Sequence, residues 1–563
     1  MSPSYMKHQP KITGIIASSL MLLLSACSDE SDLRDAAEKG DLAELTQLLQ
    51  DSELDVNKAD EQGYTALYLA VEANQIAVVK KLLEVDGIDV NKMSEYYTPL
   101  GIAARENHIE CVKLLIAHGA DVNKANYYNW TPLMCAADDG HVECLRLLLE
   151  NGACVNHQPE KDKSALMLAC PYWGQERLTK RHVECIKLLL EHGANPNEIW
   201  AAAIKSQNYE IINLLLKHKA DPNIGLEFAA SQRNIEVVSY MLEKGADLSE
   251  GLLYAAYAGN TKIINFLLEK GANPNEGIKG AVIQGNLELV NYMLEKGADP
   301  NEGLLDAACN GDKELLQYFL SLPGVNVNHT DKLADEDGDT ALEYAAIYGH
   351  VECVKLLLAA PGIDINHANK YGHSALTRAA QNGHVECVKL ILAHGADVNK
   401  VDNMGSSVIY WAAEGGHAEC VKILIDTPGI DINRANEFGE TPLSWAVKNK
   451  QEECIKLLLA APGIDVNTTT IDGKTPLIIA AENGYAQGVQ LLLASTGIDV
   501  NKADAAGGTP LLYAAKEDHI KCVQQLLNAP GIDVNKADNA RRTPLFWCRS
   551  QAVIDALKAA GAQ

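Results

Sequence analysis

Aromatic side chains are scarce in this chain: 6% of 563 residues, with five Phe among them. Positive charge is short as well, 48 Lys and Arg against 75 Asp and Glu, for a formal charge of −27. No long basic stripe offsets that excess, which opposes binding to DNA or RNA phosphates, so no nucleic-acid partner is expected. Catalytic signatures are missing too. There is no G-x-S-x-G, no P-loop and no H-E-x-x-H. What is abundant is Leu, Ala, Asn and Gly at fixed places, the outcome of copying one small unit. Apolar residues reach 47%, enough for burial along the whole length.

The first 26 residues stand apart. Lys7, His8 and Lys11 make a weakly basic start, and Ile12 to Leu24 is apolar or small apart from Thr13, Ser18 and Ser19. Thirteen helical residues cover only about 20 Å, short of a hydrocarbon core of about 30 Å. A basic start, a short apolar run and small residues before a break read as an export signal. Its Leu24-Ser25-Ala26-Cys27 ending resembles the lipobox of bacterial lipoproteins. That resemblance implies cleavage before Cys27, acylation of Cys27 as the new first residue, and a membrane contact through lipid. Ser28 in the following position implies, by the same resemblance, the outer membrane in a Gram-negative source.

The tetrapeptide His-Val-Glu-Cys occurs at 141–144, 182–185, 350–353 and 384–387. Anchored on its His, equivalent positions fall at 41, 75, 108, 141 and 182, at 208, 234, 260, 286 and 312, and at 350, 384, 417, 451, 485, 519 and 553. Most intervals are 33 or 34 residues; the five from 182 to 312 are 26. Seventeen units therefore fill the chain from residue 32 onward. In a full unit, Thr-Pro opens a short Ala-rich helix, the hydroxyl serving as cap and the proline taking the first turn. A turn and a second, Leu-rich helix follow. Gly or Pro-Gly ends that helix, and an extended arm with an Asp-Gly or similar turn leads to the next unit. One unit cannot bury its apolar faces alone, but stacked units bury each other's.

These features resemble the ankyrin-repeat family. The resemblance rests on Thr-Pro-Leu at 98–100, 131–133, 441–443, 475–477, 509–511 and 543–545, on the Ala-Ala pairs, the Gly-His turns, the Lys-Leu-Leu-Leu helices, and His-Gly-Ala-Asp-Val-Asn at 118–123 and 394–399. It implies an all-α solenoid of about seventeen helix pairs with β-hairpin arms. The family's usual His after Thr-Pro-Leu is replaced by Gly101, Met134, Ser444, Ile478, Leu512 and Phe546. The 26-residue units lack the length for an arm. The expected organisation is a signal peptide at 1–26, a tether at 27–31, repeats with arms at 32–198, short armless repeats at 199–302, and further repeats with arms at 303–563.

Repetition decides how the His-Val-Glu-Cys residues are read. The Cys slot also holds Val78, Ile211, Val237, Ile263, Leu289 and Leu315, so an apolar side chain does the same job. Neighbouring helices pack about 8–10 Å apart, too far for the Cα approach a disulfide requires, and these thiols are expected to stay reduced. A pair outside the ladder, such as Cys154 with Cys185, stays open. The His slot also holds Asn208, Asn234, Asn260, Asn286 and Asp312, which are turn and cap residues rather than ligands. Zinc needs three or four converging donors, so neither a metal nor a cofactor is expected.

In the resembled family the partner surface is built by the arms and the ends of the first helices, which points to a polypeptide partner. The segment Asn126-Tyr127-Tyr128-Asn129-Trp130 puts three aromatics on an arm tip, where the fold does not need them. Tyr96 and Tyr97 sit on the preceding arm and Tyr64 on the one before, while Asp138 and Asp139 end the helix behind the tip. Clustered aromatics at an exposed tip are typical anchors. Tyr371 and Phe438 mark a weaker second site. Trp411, Trp445 and Trp547, inside first helices, are expected in the core. The function expected is a non-catalytic scaffold, lipid-anchored to a bacterial membrane. An exported or intracellular scaffold without the anchor, and a metal or thiol enzyme, are the alternatives.

Overall fold

A computed structural model describes residues 30–159, 163–170, 178–330 and 337–563. Cys27 and the export signal lie outside the described residues. The chain groups into two bodies, Met1–Gly251 and Leu252–Gln563. Both are built from antiparallel helix pairs, and seventeen pairs are found along the described residues, one per unit of the sequence.

In the N-terminal body the pair Pro132–Asp138 and Val142–Glu150 shows why the unit folds as it does. The Thr131 hydroxyl accepts the Met134 N–H at 3.4 Å and Pro132 occupies the first turn, so the helix start is capped without a lost donor. The first helix buries Leu133, Met134, Cys135, Ala136 and Ala137. Gly140 then takes a φ of +68°, which reverses the chain, and the second helix buries Cys144, Leu145, Leu148 and Leu149. Asn74 and Asn107 make the same left-handed turn in earlier units, at φ of 55° and 58°.

The expected arms exist, but as turns rather than paired strands. Among the described residues there is no strand, only the isolated bridges Thr330–Thr340 and Val401–Ser407. The reason lies in one side chain per arm. Asn126 Oδ1 accepts the N–H groups of Tyr128 and Trp130, both at 2.9 Å, which takes up donors a ladder would use. Arms bond instead to the next arm: Glu95 N–H to Gln62 O at 2.9 Å, and Tyr127 N–H to Tyr96 O at 3.0 Å. The C-terminal body repeats the device, with Asn403 N–H to Tyr371 O, Glu437 N–H to Met404 O and Ile471 N–H to Phe438 O.

Where the units shorten to 26 residues, the first helix mostly lengthens; the exception is Trp200–Lys205, six residues entered through a 3-10 turn at Pro196–Ile199. Pro222–Ser231 in the N-terminal body has 10 residues, and Pro274–Ile283 and Pro300–Asn310 in the C-terminal body have 10 and 11, against 7 in a full unit. Asp221, Asn273 and Asp299 cap these helices directly, so the chain enters the helix without an arm. An asparagine spine survives the change. Asn91 Oδ1 accepts the Asp121 N–H at 2.8 Å between full units, and Asn197 and Asn223 accept those of Asp221 and Asp247, also at 2.8 Å, between short ones. In the C-terminal body, Asn275, Asn433 and Asn501 do the same for Asp299, Asp465 and Asp533.

Candidate functional site

Tyr97, Tyr127, Tyr128, Trp130, Asp138 and Asp139 line one recess of about 580 Å³ in the N-terminal body, together with Arg105, Asn129, Cys135, Pro159 and Lys163. Its rim is aromatic and open to solvent: Tyr127 is 68% exposed and Tyr128 57%. Tyr96 stacks on Tyr128, with centroids 6.1 Å apart and planes 8° from parallel, and Tyr127 meets both edge-on at 6.2 and 5.3 Å. These rings sit side by side because the Tyr127 N–H to Tyr96 O bond joins the two arms. Trp130 is half-buried at the base of its arm. Tyr64, assigned to the same site from sequence, is not part of the recess; it stacks on Tyr68 of its own unit at 5.0 Å.

Charge in the recess is mixed. The Arg105 guanidinium lies over the Tyr97 ring at 5.3 Å, a cation–π contact, and its Nε is 3.9 Å from Glu106. Burial raises the Tyr97 hydroxyl above the ordinary phenol range, with Arg105 opposing. Cys135 is buried, and that burial pushes its thiol up to about 12, so it is no nucleophile near pH 7.

A family model for ankyrin repeats matches residues 33–126, 125–199, 199–278, 226–303, 304–402, 394–470 and 462–538. The chain belongs to the ankyrin-repeat family. It is similar to the crystal structure of the ankyrin repeat domain of Bcl-3, described as a unique member of the IkappaB protein family. There the identity is 31%, covering 40% of this chain and 100% of that one, with a TM-score of 0.37. It is also similar to the human ASB11 ankyrin repeat domain, at 26% identity, 40% and 99% coverage, and a TM-score of 0.35. Among curated proteins none matches.

Within the ankyrin repeats the thiol ladder is buried: Cys111, Cys144, Cys185, Cys353, Cys387, Cys420, Cys454 and Cys522 are at most 1% exposed. Every described cysteine is free, including Cys154, which is exposed and not bonded to Cys185. The His slot divides into two main kinds, with His182 apart from both inside its helix, its Nδ1 2.8 Å from the Thr179 cap hydroxyl. Asn208, Asn234, Asn260, Asn286 and Asp312 cap their helices as expected. His141, His350, His384 and His519 do not; each ring donates to a main-chain carbonyl at the end of the preceding repeat's first helix, at 2.8–3.1 Å. The imidazole is long enough to reach the neighbouring repeat, and Asn is not.

The C-terminal body holds residues whose placement the sequence missed. Trp411, Trp445 and Trp547 are partly exposed rather than core. Trp411 reaches the arm of its own repeat, its Nε1 donating to Asp402 at 3.0 Å, and Tyr513 in the same slot donates to Asp504 at 2.6 Å; Nε1 of Trp445 and of Trp547 finds no such acceptor among the described residues. Cations lie over these rings, with Lys448 4.1 Å from Trp445 and Arg542 4.3 Å from Trp547. Ile102, Cys135 and Ile479 in this slot are buried, whereas Leu69, Tyr344 and Arg378 are partly exposed; the polar occupants are the signal in the repeat pattern that the slot borders the surface. The arm tips Tyr371, Met404 and Phe438 are 49%, 54% and 47% exposed. Asp299, Glu302 and His329 bring donor atoms within 4.8 Å of one another, but Asp299 already caps its helix and the set is one donor short of a closed zinc site.

Proposed function

We propose that this protein is a non-catalytic scaffold that holds another polypeptide at the aromatic recess of its N-terminal body, while an acylated Cys27 tethers it to a bacterial membrane. Ankyrin repeats suggest protein–protein interaction as the general role. The observation that carries the site is the solvent exposure of Tyr127 and Tyr128 beside a concave wall of Tyr97, Trp130 and Asp139. Burying such a ring against a partner contributes about 1–2 kcal/mol. The lipid tether rests on the Leu-Ser-Ala-Cys sequence alone.

Two experiments test the halves separately. Crosslinking pull-downs from native membranes compare the intact chain with the triple variant Tyr127→Ala, Tyr128→Ala, Trp130→Ala. A partner lost with the helical circular dichroism unchanged supports the site, and recovery of every partner by the variant rejects it. Radiolabelled palmitate incorporation abolished by Cys27→Ala supports the tether. Undiminished incorporation, or none in either chain, rejects it.

A further inference from the structure

Most histidines of this chain bond main-chain carbonyls, as His350, His384, His394 and His519 do. Among the described residues, His329, His367 and His373 are the ones that meet carboxylates. His329 Nε2 lies 3.4 Å from Glu302, His367 Nδ1 3.1 Å from Glu343, and His373 Nε2 3.6 Å from Asp402. Each pair joins one repeat of the C-terminal body to the next, and the three junctions follow one another. The first ties the helix Pro300–Asn310 to the arm before Ala341–Ile347, and the second ties that helix to the arm before Ala375–Gln381. The third ties that arm to the one before Val408–Glu414. Two of the carboxylates are almost out of water: the Glu343 side chain is 1% exposed and that of Asp402 3%.

Directly after the spine asparagine, where His329 and His367 stand, other repeats carry Lys58, Lys92, Lys400, Lys502 and Lys536. Lys502 and Lys536 reach back to a main-chain carbonyl of the preceding repeat, both at 2.8 Å. Lysine keeps its charge to about pH 10, whereas histidine loses it between about pH 5 and 8. A buried carboxylate that loses its counter-charge is destabilised. The charged groups around the pairs are mostly acidic. Asp299 lies beside His329, and Asp364 and Asp339 act on His367. Arg378 is engaged with Asp337 at 3.1 Å and Asp339 at 3.4 Å, and Lys370 with Asp337 at 3.3 Å. His373 packs against the rings of Tyr371 and Trp411, and Trp411 donates to the same Asp402 oxygen. We infer that these three junctions form a pH-responsive segment of the stack: in mild acid the pairs clamp residues 302–402, and the clamp slackens as the histidines lose their protons. The sign agrees with His367, whose hydrogen bond to Glu343 raises its pKa against burial, so its contribution is complete in acid and is lost as pH rises.

The test is hydrogen–deuterium exchange of the full chain at about pH 5.5 and about pH 8, read by mass spectrometry and corrected for the intrinsic pH dependence of amide exchange. Protection of residues 300–410 should fall about fivefold or more between the two conditions. Protection of residues 440–510, which hold no histidine, should change by less than about twofold. The triple variant His329→Gln, His367→Gln, His373→Gln should lose the fall and sit at the lower level at both pH values. The double variant His329→Lys, His367→Lys, which restores the fixed cation of other repeats, should hold its protection at the higher pH. A fall of the same size in both regions overturns the inference. So does a fall that the triple variant retains, which would pass the effect to His350 and His384 in the same stretch. The comparison of the two regions within the wild-type chain decides the matter even where the triple variant does not fold.

Discussion

Thiol labelling gives the sharpest test of whether the repeated cysteines are packing residues. At about pH 8 an ordinary thiol of pKa about 8.5 is about one quarter thiolate. Burial pushes Cys387 and Cys420 up to about 11 and Cys144 up to about 12. Their thiolate fractions then fall to about one in a thousand and about one in ten thousand. A more basic thiolate is also a better nucleophile; with a Brønsted slope of about 0.45 this returns about tenfold to fortyfold. Ionisation and nucleophilicity together therefore slow the reaction only about twentyfold to sixtyfold. Access decides the rest. These three side chains are 0% exposed, so a reagent reaches them only after local opening, and an opening that costs about 3 kcal/mol adds a factor of about 150.

The assay is pulsed labelling with N-ethylmaleimide under native conditions, read by mass spectrometry of the cysteine peptides. Cys154, exposed on its loop, should label first. Cys309 and Cys548, partly exposed, should follow. The eight ladder thiols should label together with unfolding, about a thousandfold or more behind. In the same experiment, Cys420→Val should leave the fold intact, because Val78 and Val237 fill that slot elsewhere. Rapid labelling of Cys387 or Cys420 while the helical signal stays native would refute the packing argument.

Two further perturbations act on contacts between repeats. Asn467 donates to Gly497 O at 2.8 Å and accepts the Asp499 N–H at 2.9 Å, so Asn467→Ala should lower stability by about 1–2 kcal/mol in urea titrations; an unchanged midpoint would count against the spine. The hydrogen bond to buried Glu343 holds the pKa of His367 above its ordinary value of about 6.5, with burial opposing. The His367–Glu343 contribution is therefore complete below about pH 6.5 and is lost as pH rises through the raised folded value. A His367→Gln variant should trail wild type in urea at about pH 6 and meet it at about pH 9, and a gap that widens with pH would contradict the pairing.

Repetition made the fold legible, and the same repetition explains what was missed. Seventeen copies fixed the helix pairs, because each apolar slot could be checked against sixteen others. The thiols were read correctly in this way, since Val and Ile substitute for them. The cluster of Tyr96, Tyr97, Tyr127, Tyr128 and Trp130 stood out as a departure from the pattern, and the structure brings its members together. Tyr64 was grouped with them on position alone, and its ring turns to Tyr68 instead. Trp411, Trp445 and Trp547 were misplaced for a different reason. A large apolar residue in a short helix reads as core, and Ile102 and Ile479 in the same slot are indeed buried, but the larger indoles are partly exposed, with Trp411 reaching Asp402 of the arm nine residues earlier. Sequence spacing along one helix does not carry that information. The His-to-carbonyl bonds were invisible likewise, because their partners lie in the preceding repeat.

The short repeats separate what stacks this protein from what it offers to others. They lack arms yet keep the asparagine bonds at 2.8 Å and the buried apolar slots. Stacking therefore does not require arm tips, and selection on the tips is free to follow recognition. This predicts a contrast within one short segment. Asn123 accepts the Cys154 N–H and donates to Gly152 O, tying one repeat to the next. Tyr127 and Tyr128, four and five residues on, touch chiefly each other and Tyr96. Replacing both tyrosines with Ser should shift stability by no more than about 0.5 kcal/mol per site, while Asn123→Ala should cost about 1–2 kcal/mol. Equal losses from both would mean that the rings hold the arms together, and the case for the recess as a binding surface would fall.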